Sequence, residues 1–177
     1  LIKQSKEIGT LLSREEGKTL PEGIGEVVRS GQQFQSYAAS ALRQFGENIA
    51  STRDGVSVEM TREPVGVCGI ISPWNFPIAI AAWKSAPAIA FGNAIVLKPA
   101  SQTPASAIAL TKIISEQKDI PEGLFNLVLG GGGTIGHQIS NHVNINAISF
   151  TGSVGVGQTI YLEAAKSMKK MQLEMGS

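Results

Sequence analysis

Cysteine is nearly absent from this sequence: the single thiol, Cys68, excludes an internal disulfide framework and a multi-cysteine metal site, and it fits a reducing compartment. Charge is sparse, at 16% of residues, and almost balanced, with 15 basic and 14 acidic side chains. The basic residues are scattered rather than gathered in a stripe, so nucleic acid is not an expected partner. Long apolar runs are also missing. The stretch 77–90 is broken by Lys84 and two prolines and falls short of a membrane span. His137 and His142 lack a nearby carboxylate or cysteine, which disfavours a metal site. Leu1–Lys6 has the character of neither a signal nor a transit peptide, and the chain opens without Met inside an amphipathic pattern, as a cut start would. The cytoplasm is the expected location.

What remains is an ordinary globular composition, 42% hydrophobic over 177 residues, enough for one domain with a real core. Ile2, Ile8, Leu11 and Leu12 predict a helix over 1–16, stopped by Gly17. A second helix is expected over 25–50, where Val27, Val28, Phe34, Tyr37, Ala38, Ala41, Leu42 and Phe45 recur at threes and fours. Arg53, Asp54 and Gly55 read as a turn, and Val56, Val58 and Met60 then alternate with polar residues, as in a half-buried strand.

From Val65 onward apolar runs alternate with helical stretches, the pattern of repeated strand-helix-strand units. The strands expected are 65–71, 94–98, 124–129, 147–150 and 171–173, each apolar enough to be covered on both faces. Helices are expected between them over 77–91, 104–118, 134–142 and 154–165, two of them opened by Pro77 and Pro104. The fold class is therefore α/β: an open, twisted, mostly parallel sheet of about five strands with helices on both faces, preceded by helices and a β segment. Right-handed crossovers put ligand chemistry in the loops beyond the carboxyl ends of the strands.

Those loops carry several candidates. Asn75, between Pro73 and Pro77, can donate its amide to an oxyanion, or it can cap the helix that follows; Trp74 beside it reads as core rather than as a ligand platform. Lys98 ends the second strand, where it can reach a sugar hydroxyl or a phosphate, or simply lie in solvent. Gly130–Gly133 feed a helix whose amino end attracts phosphate; Gly131, Gly133 and Gly136 satisfy the G-x-G-x-x-G template, and a plain turn into the helix accounts for them equally well. Ser153 can cap the next helix, contact a phosphate, or do both. Glu174 puts a carboxylate at the end of the last strand, against the alternative of an ordinary exposed acid. Cys68 lies inside an apolar strand, where a thiol behaves as a small hydrophobe and not as a nucleophile.

Taken in order, Pro64-Val65-Gly66-Val67, Pro73-Trp74-Asn75-Phe76-Pro77, Lys98-Pro99-Ala100, Phe150-Thr151-Gly152-Ser153 and Leu173-Glu174-Met175-Gly176 resemble the aldehyde dehydrogenase superfamily, over essentially the whole chain. The look is nearest to its succinate-semialdehyde and 2-oxoglutarate-semialdehyde branch. The resemblance implies the Rossmann-like variant of that family, NAD or NADP as cofactor, an aldehyde oxidised to a carboxylic acid through a cysteine thioester, and a homo-dimer or homo-tetramer. It implies that Asn75 helps form the oxyanion hole and that Glu174 activates the hydrolytic water. For the cofactor it implies Ile71, Ser72, Pro73 and Trp74 after the first strand, and Lys98 and Ser101 after the second. The remaining cofactor positions are Gly132 and Gly136 in the glycine loop, Phe150, Thr151, Gly152 and Ser153 after the fourth strand, and Met175 after the fifth. The family's glycine pattern, G-x-G-x-x-x-G, transfers to Gly130, Gly132 and Gly136 rather than to the register read above.

On the same resemblance, residues 1–52 are amino-terminal helices, 53–64 a β segment of the oligomerisation region and 65–177 the NAD(P)-binding core. The catalytic domain, with its cysteine nucleophile, is expected beyond this stretch, so the 177 residues alone are expected to be inactive. Gln32, Phe34 and Arg43 are candidates to line a substrate tunnel. Two departures stand out. Ser101 occupies a position where many NAD-preferring members carry glutamate, and beside Lys98 it leaves room and charge for a 2′-phosphate. Ser177 stands where the motif has a further glycine. The competing readings are a nucleotide-binding module without catalysis and a chain that serves only as a partner surface.

Overall fold

The computed structural model describes residues 1–43 and 46–176. A short 3₁₀ turn, Ile2–Gln4, leads into α1 (Ser5–Glu16). Gly17 then ends α1 at φ +95°, a left-handed conformation that glycine adopts without steric cost. α2 (Leu20–Ala41) begins five residues earlier than expected. Thr19 and Glu22 form a capping box with Pro21 in the first turn, a start signal that outweighs the two glycines following it.

The carboxyl end of the expected second helix is a correction. Residues 47–50 form a strand, β1 (Glu47–Ala50), paired antiparallel with β2 (Ser57–Met60). Cross-strand hydrogen bonding, which depends on partners seven to thirteen residues away, overrides the helical spacing there. Phe45 of that pattern, and Ser177, lie outside the described residues. The hairpin is also not half-buried: Val56 is 50% exposed and Val58 and Met60 are exposed as well, because among the described residues no other layer covers either face.

The main sheet contains five parallel strands in the order β5-β4-β3-β6-β7. They are β3 (Val67–Ile71), β4 (Ala94–Lys98), β5 (Phe125–Leu127), β6 (Ala147–Gly152) and β7 (Lys170–Met175). The connecting helices are α3 (Pro77–Ala90), α4 (Pro104–Ser115), α5 (His137–Asn141) and α6 (Val154–Ala165). α4 is three residues shorter than expected, and the expected helix 134–142 is split into a π-turn, Gly132–Gly136, and the short α5. Strands β6 and β7 run further than their apolar residues predict, so Thr151, Gly152, Glu174 and Met175 lie in strands rather than in loops. Backbone pairing between the two strands carries them on where side-chain polarity argued for an end.

Successive strand residues point to opposite faces. On one face Ile70, Ile95 and Leu97 pack with Ile78, Ala81, Ala107 and Leu110 of α3 and α4, and Ile8, Leu12 and Val27 of α1 and α2 close the layer. On the other, Ile71, Ile148 and Phe150 pack with Ile139, Ile145, Ile160 and Ala164. The central strand β3 is thus covered on both faces. The outer strands are not: Lys170, Gln172 and Glu174 of β7 and Asn126 of β5 are exposed, because those strands carry helices on one side only. The chain leaves β3 toward β4 and β5 and returns to its other side for β6 and β7. This reversal leaves a crevice between the ends of β3 and β6, where such sheets bind ligands.

Candidate functional site

At the carboxyl ends of the strands the five loops stand side by side in sheet order. Beyond β3, Trp74 is 54% exposed and Phe76 49% exposed. Trp74 is therefore not a core residue: the two prolines hold the loop outward, and the α3 face is already filled by aliphatic side chains. Asn75 is exposed too and does not cap α3. Its Oδ1 accepts the N–H of Phe76 at 3.1 Å, Phe76 occupies the cap position, and among the described residues no protein partner meets the Asn75 amide NH₂. The amide is thus presented outward from a braced loop.

The first-turn N–H groups of α3 and α4 are taken by carboxylates from elsewhere in the chain, a feature invisible to local motif reading. Glu26 of α2 accepts Ile78 N–H at 3.1 Å and Ala79 N–H at 3.0 Å. Glu15 of α1 accepts Ser106 N–H at 3.0 Å, Ser106 Oγ–H at 2.6 Å and also Ala105 N–H. Thr103, at the cap position of α4, is 2% exposed and leaves its hydroxyl unpartnered, since Glu15 already holds the N–H groups it would serve.

Lys98 is not a solvated lysine. It is 4% exposed, burial lowers its pKa, and its Nζ donates to the Pro99 carbonyl at 2.6 Å. Its ammonium has three donors, which leaves capacity for an acceptor at the loop. Ser101 Oγ donates to the Gly130 carbonyl at 3.2 Å, tying the loop beyond β4 to the glycine loop beyond β5. In that loop Gly130 has φ +149° and a β-carbon there would lie 2.6 Å from Ile135, whereas Gly131, Gly132, Gly133 and Gly136 face open space. The backbone is laid bare at Gly131, Gly132 and Gly133, while Gly136 is buried, and the π-turn over Gly132–Gly136 is a form often found at functional sites. Ser72 Oγ, buried behind the β3 loop, has no partner among the described residues.

On the other side of β3, Ser153 sits at the cap position of α6 but makes no side-chain capping bond, so of its alternative roles the cap is not made. Gly152 and Gly157 let the Phe150 ring and Met175 close against the first turn of α6; a β-carbon at Gly152 would lie 2.5 Å from the ring. The ends of β6, β7 and α6 are thereby drawn together.

Glu174 is exposed on β7, opposite Thr151 of β6. A hydrogen-bonded chain leads to it that spacing in the sequence did not reveal. Lys84 Nζ donates to Ser149 Oγ at 2.7 Å, Ser149 Oγ–H donates to Gln172 Oε1 at 2.5 Å, and Gln172 Nε2 donates to Glu174 Oε1 at 3.3 Å. Burial lowers the Lys84 pKa to about 8, with the Glu174 carboxylate pulling it partly back up. Lys84, Tyr37, Trp83, Thr151, Gln172 and Glu174 line an open groove of about 640 Å³ along β6 and β7. The signal for Lys84 was available as a lysine inside an otherwise apolar helix. Phe34, by contrast, packs against the core, and Gln32 and Arg43 are exposed; Tyr37 is the residue of α2 that faces the groove. Burial pushes the Cys68 thiol up. Among the described residues no group of three His, Cys, Asp or Glu could hold a metal, and no helix is long and apolar enough to cross a membrane.

Fold and site together define a doubly wound α/β unit whose glycine-rich and hydroxyl-bearing loops suit a dinucleotide. The sequence profile of the aldehyde dehydrogenase family matches residues 1–177, and the chain belongs to that family. It is 44% identical over 173 residues to the alpha-ketoglutaric semialdehyde dehydrogenase of Bacillus subtilis (strain 168), covering 97% of this chain and 35% of that protein. Among solved structures, a lactaldehyde dehydrogenase is 40% identical with a TM-score of 0.95, over 98% of this chain and 36% of that one. A betaine aldehyde dehydrogenase from Staphylococcus aureus in complex with NAD+ is 34% identical with a TM-score of 0.96, over 99% of this chain and 35% of that one. The chain thus spans about a third of the length of the relatives it matches.

Proposed function

We propose that these residues work within an NAD(P)-dependent aldehyde dehydrogenase that oxidises a semialdehyde to a carboxylic acid through a cysteine thioester, and that they supply its cofactor groove and two of its catalytic groups. The observation that carries the reading is the common end of the sheet shared by an outward-facing amide, Asn75, and an oriented carboxylate, Glu174, beside loops suited to a dinucleotide. The nearness of a semialdehyde dehydrogenase in sequence supports the substrate class.

The nucleophile comes from outside these residues, since Cys68 is buried with its thiol pKa raised. Asn75 donates to the oxygen that gains charge as the thiolate adds to the aldehyde, and the loss of one such donor is worth about 3 kcal/mol. Glu174, its Oε1 held by Gln172, takes a proton from the water that cleaves the thioester. A nicotinamide held in this groove would supply the hydride acceptor for the oxidation step. Lys98 and Ser101 hold the adenosine ribose, with Gly132 and Gly136 giving the backbone close approach. Trp74, Ser153 and the amino end of α6 hold the pyrophosphate. Ile71, Ser72, Pro73, Phe150, Thr151, Gly152 and Met175 wall the groove. Serine rather than glutamate at 101 favours acceptance of NADP, because no carboxylate opposes a 2′-phosphate. The hairpin β1–β2, with Ile49, Val58 and Met60 exposed, serves assembly into a homo-dimer or homo-tetramer.

The direct test is to supply the complete enzyme with a panel of semialdehydes and follow cofactor reduction. Turnover with NADP supports the reading; no turnover with either cofactor, or turnover with NAD alone, overturns the reading or its NADP clause respectively. The isolated 177 residues are expected to bind cofactor, seen as loss of Trp74 fluorescence, and to oxidise nothing.

A further inference from the structure

The loop that carries Asn75 is gripped from the amino-terminal helices by a buried ion pair. Lys18 and Glu26 have side chains 10% and 3% exposed, with Lys18 Nζ 2.5 Å from Glu26 Oε2 and 3.7 Å from Glu16 Oε2. Glu26 spends its other oxygen on the N–H groups of Ile78 and Ala79, the first available donors of α3 after Pro77. Lys18 donates as well to the Asn75 carbonyl at 3.0 Å and lies 4.3 Å from the centroid of the Phe76 ring. Phe76 in turn gives its N–H to Asn75 Oδ1. Two consecutive residues of the loop, and the helix that follows them, are therefore fixed by two side chains remote in sequence.

Stability alone is a poor reason for this arrangement. Burying two charges costs desolvation that an apolar pair of similar volume would avoid, and α3 could be capped by a short polar residue at position 76, where Phe stands. What the ion pair supplies is direction. An amide that accepts through Oδ1 from its own neighbour can only turn its NH₂ the other way, and the clasp holds that neighbour in place. Stabilisation of a developing oxyanion depends on donors already aimed at it, so small displacements are costly to rate.

We propose that Lys18 and Glu26 are positioning residues that aim the Asn75 amide, acting on the reaction through Asn75 without touching substrate. This rests on the oxyanion role proposed above for Asn75. The test is a double-mutant cycle in the complete enzyme between Lys18→Met and Asn75→Ala, reading kcat, cofactor affinity by fluorescence and melting temperature. Lys18→Met is expected to lower kcat about tenfold, the scale at which misplacement of a reacting group acts, with cofactor affinity within about twofold. In the Asn75→Ala background the same substitution is expected to lower kcat no further. Losses that multiply instead would overturn the clasp and leave a merely structural pair. An unchanged kcat for Lys18→Met, with Asn75→Ala impaired, overturns the clasp while the oxyanion reading stands. An unchanged kcat for Asn75→Ala overturns both. Should Lys18→Met fail to fold, Glu26→Gln keeps an acceptor for the α3 N–H groups while removing the charge, and the same cycle with the same outcomes applies to it.

Discussion

The two faces of the sheet treat their helix amino ends in opposite ways. On the α3 and α4 face the first free N–H groups are consumed by Glu26 and Glu15, buried or half-buried carboxylates from α2 and α1. On the α5 and α6 face, among the described residues, no side chain caps the π-turn or α6, and the Ser153 hydroxyl makes no capping bond. An amino end carries a partial positive charge and unsatisfied donors. Where a carboxylate already meets them the helix is anchored and repels further anions; where nothing does, a phosphate can. The molecule thus separates a rigid half, which aims Asn75 and seats Lys98, from an open half suited to the cofactor's charged centre.

The largest effect expected falls on Glu174, which neither face caps. Glu174→Gln in the complete enzyme should cut steady-state turnover by about a hundredfold, in the range for loss of a general base. A burst of reduced cofactor close to one per site should remain, and an unchanged steady state would remove Glu174 from the mechanism. Next comes the braced face. Glu15→Leu strips α4 of its acceptor and should cost about 2 kcal/mol, a drop of several degrees in melting temperature. The matched change on the open face, Ser153→Ala, should leave stability within about 0.5 kcal/mol and weaken cofactor binding instead. If the two substitutions behaved alike, the contrast between the faces would be lost.

Ser101→Glu is expected to weaken NADP binding about tenfold while NAD binding changes little or improves, measured by fluorescence titration. The smallest effect concerns Lys84. Its pKa is about 8 in the folded chain against 10.5 for the free side chain, so between those values the unfolded chain holds more protons and stability rises with pH. The penalty of keeping this lysine charged is complete below about pH 8, fades as pH rises from there and is largely gone by 10.5. The melting temperature of Lys84→Met relative to the unchanged chain should therefore be higher at pH 7 than at pH 10.5. A difference independent of pH would mean that Lys84 is not desolvated.

Much of the fold could be read from local pattern. All five core strands and their crossover helices were recognisable because Ile70, Ile95, Leu97 and Ile148 sit in short apolar runs bounded by Gly, Pro and Asn, and Gly17 marked a real helix end. Of the β1–β2 hairpin, the alternation of Val56, Val58 and Met60 announced β2, but β1 was missed because its stability comes from pairing between residues 47–50 and 57–60 and not from the character of its own segment. The exposure of Trp74 was missed because an aromatic residue has the same composition in a core as in an outward loop. Of the candidate site, the outward Asn75 amide and the strand-end Glu174 were legible as alternatives; the clasp residues Glu26 and Lys18 were not, being 52 to 57 residues distant from the loop and helix they hold.

The order of apolar runs, prolines and glycines was by itself enough to determine a parallel α/β sheet and the loops at which its chemistry would stand, because hydrophobic periodicity and turn chemistry act over a few residues. Which of those loops would be clamped and which left open was decided only by tertiary structure. Glu15 and Glu26 are ordinary helical acids until α1 and α2 dock against α3 and α4, and only that docking turns their carboxylates into caps for helices elsewhere in the chain.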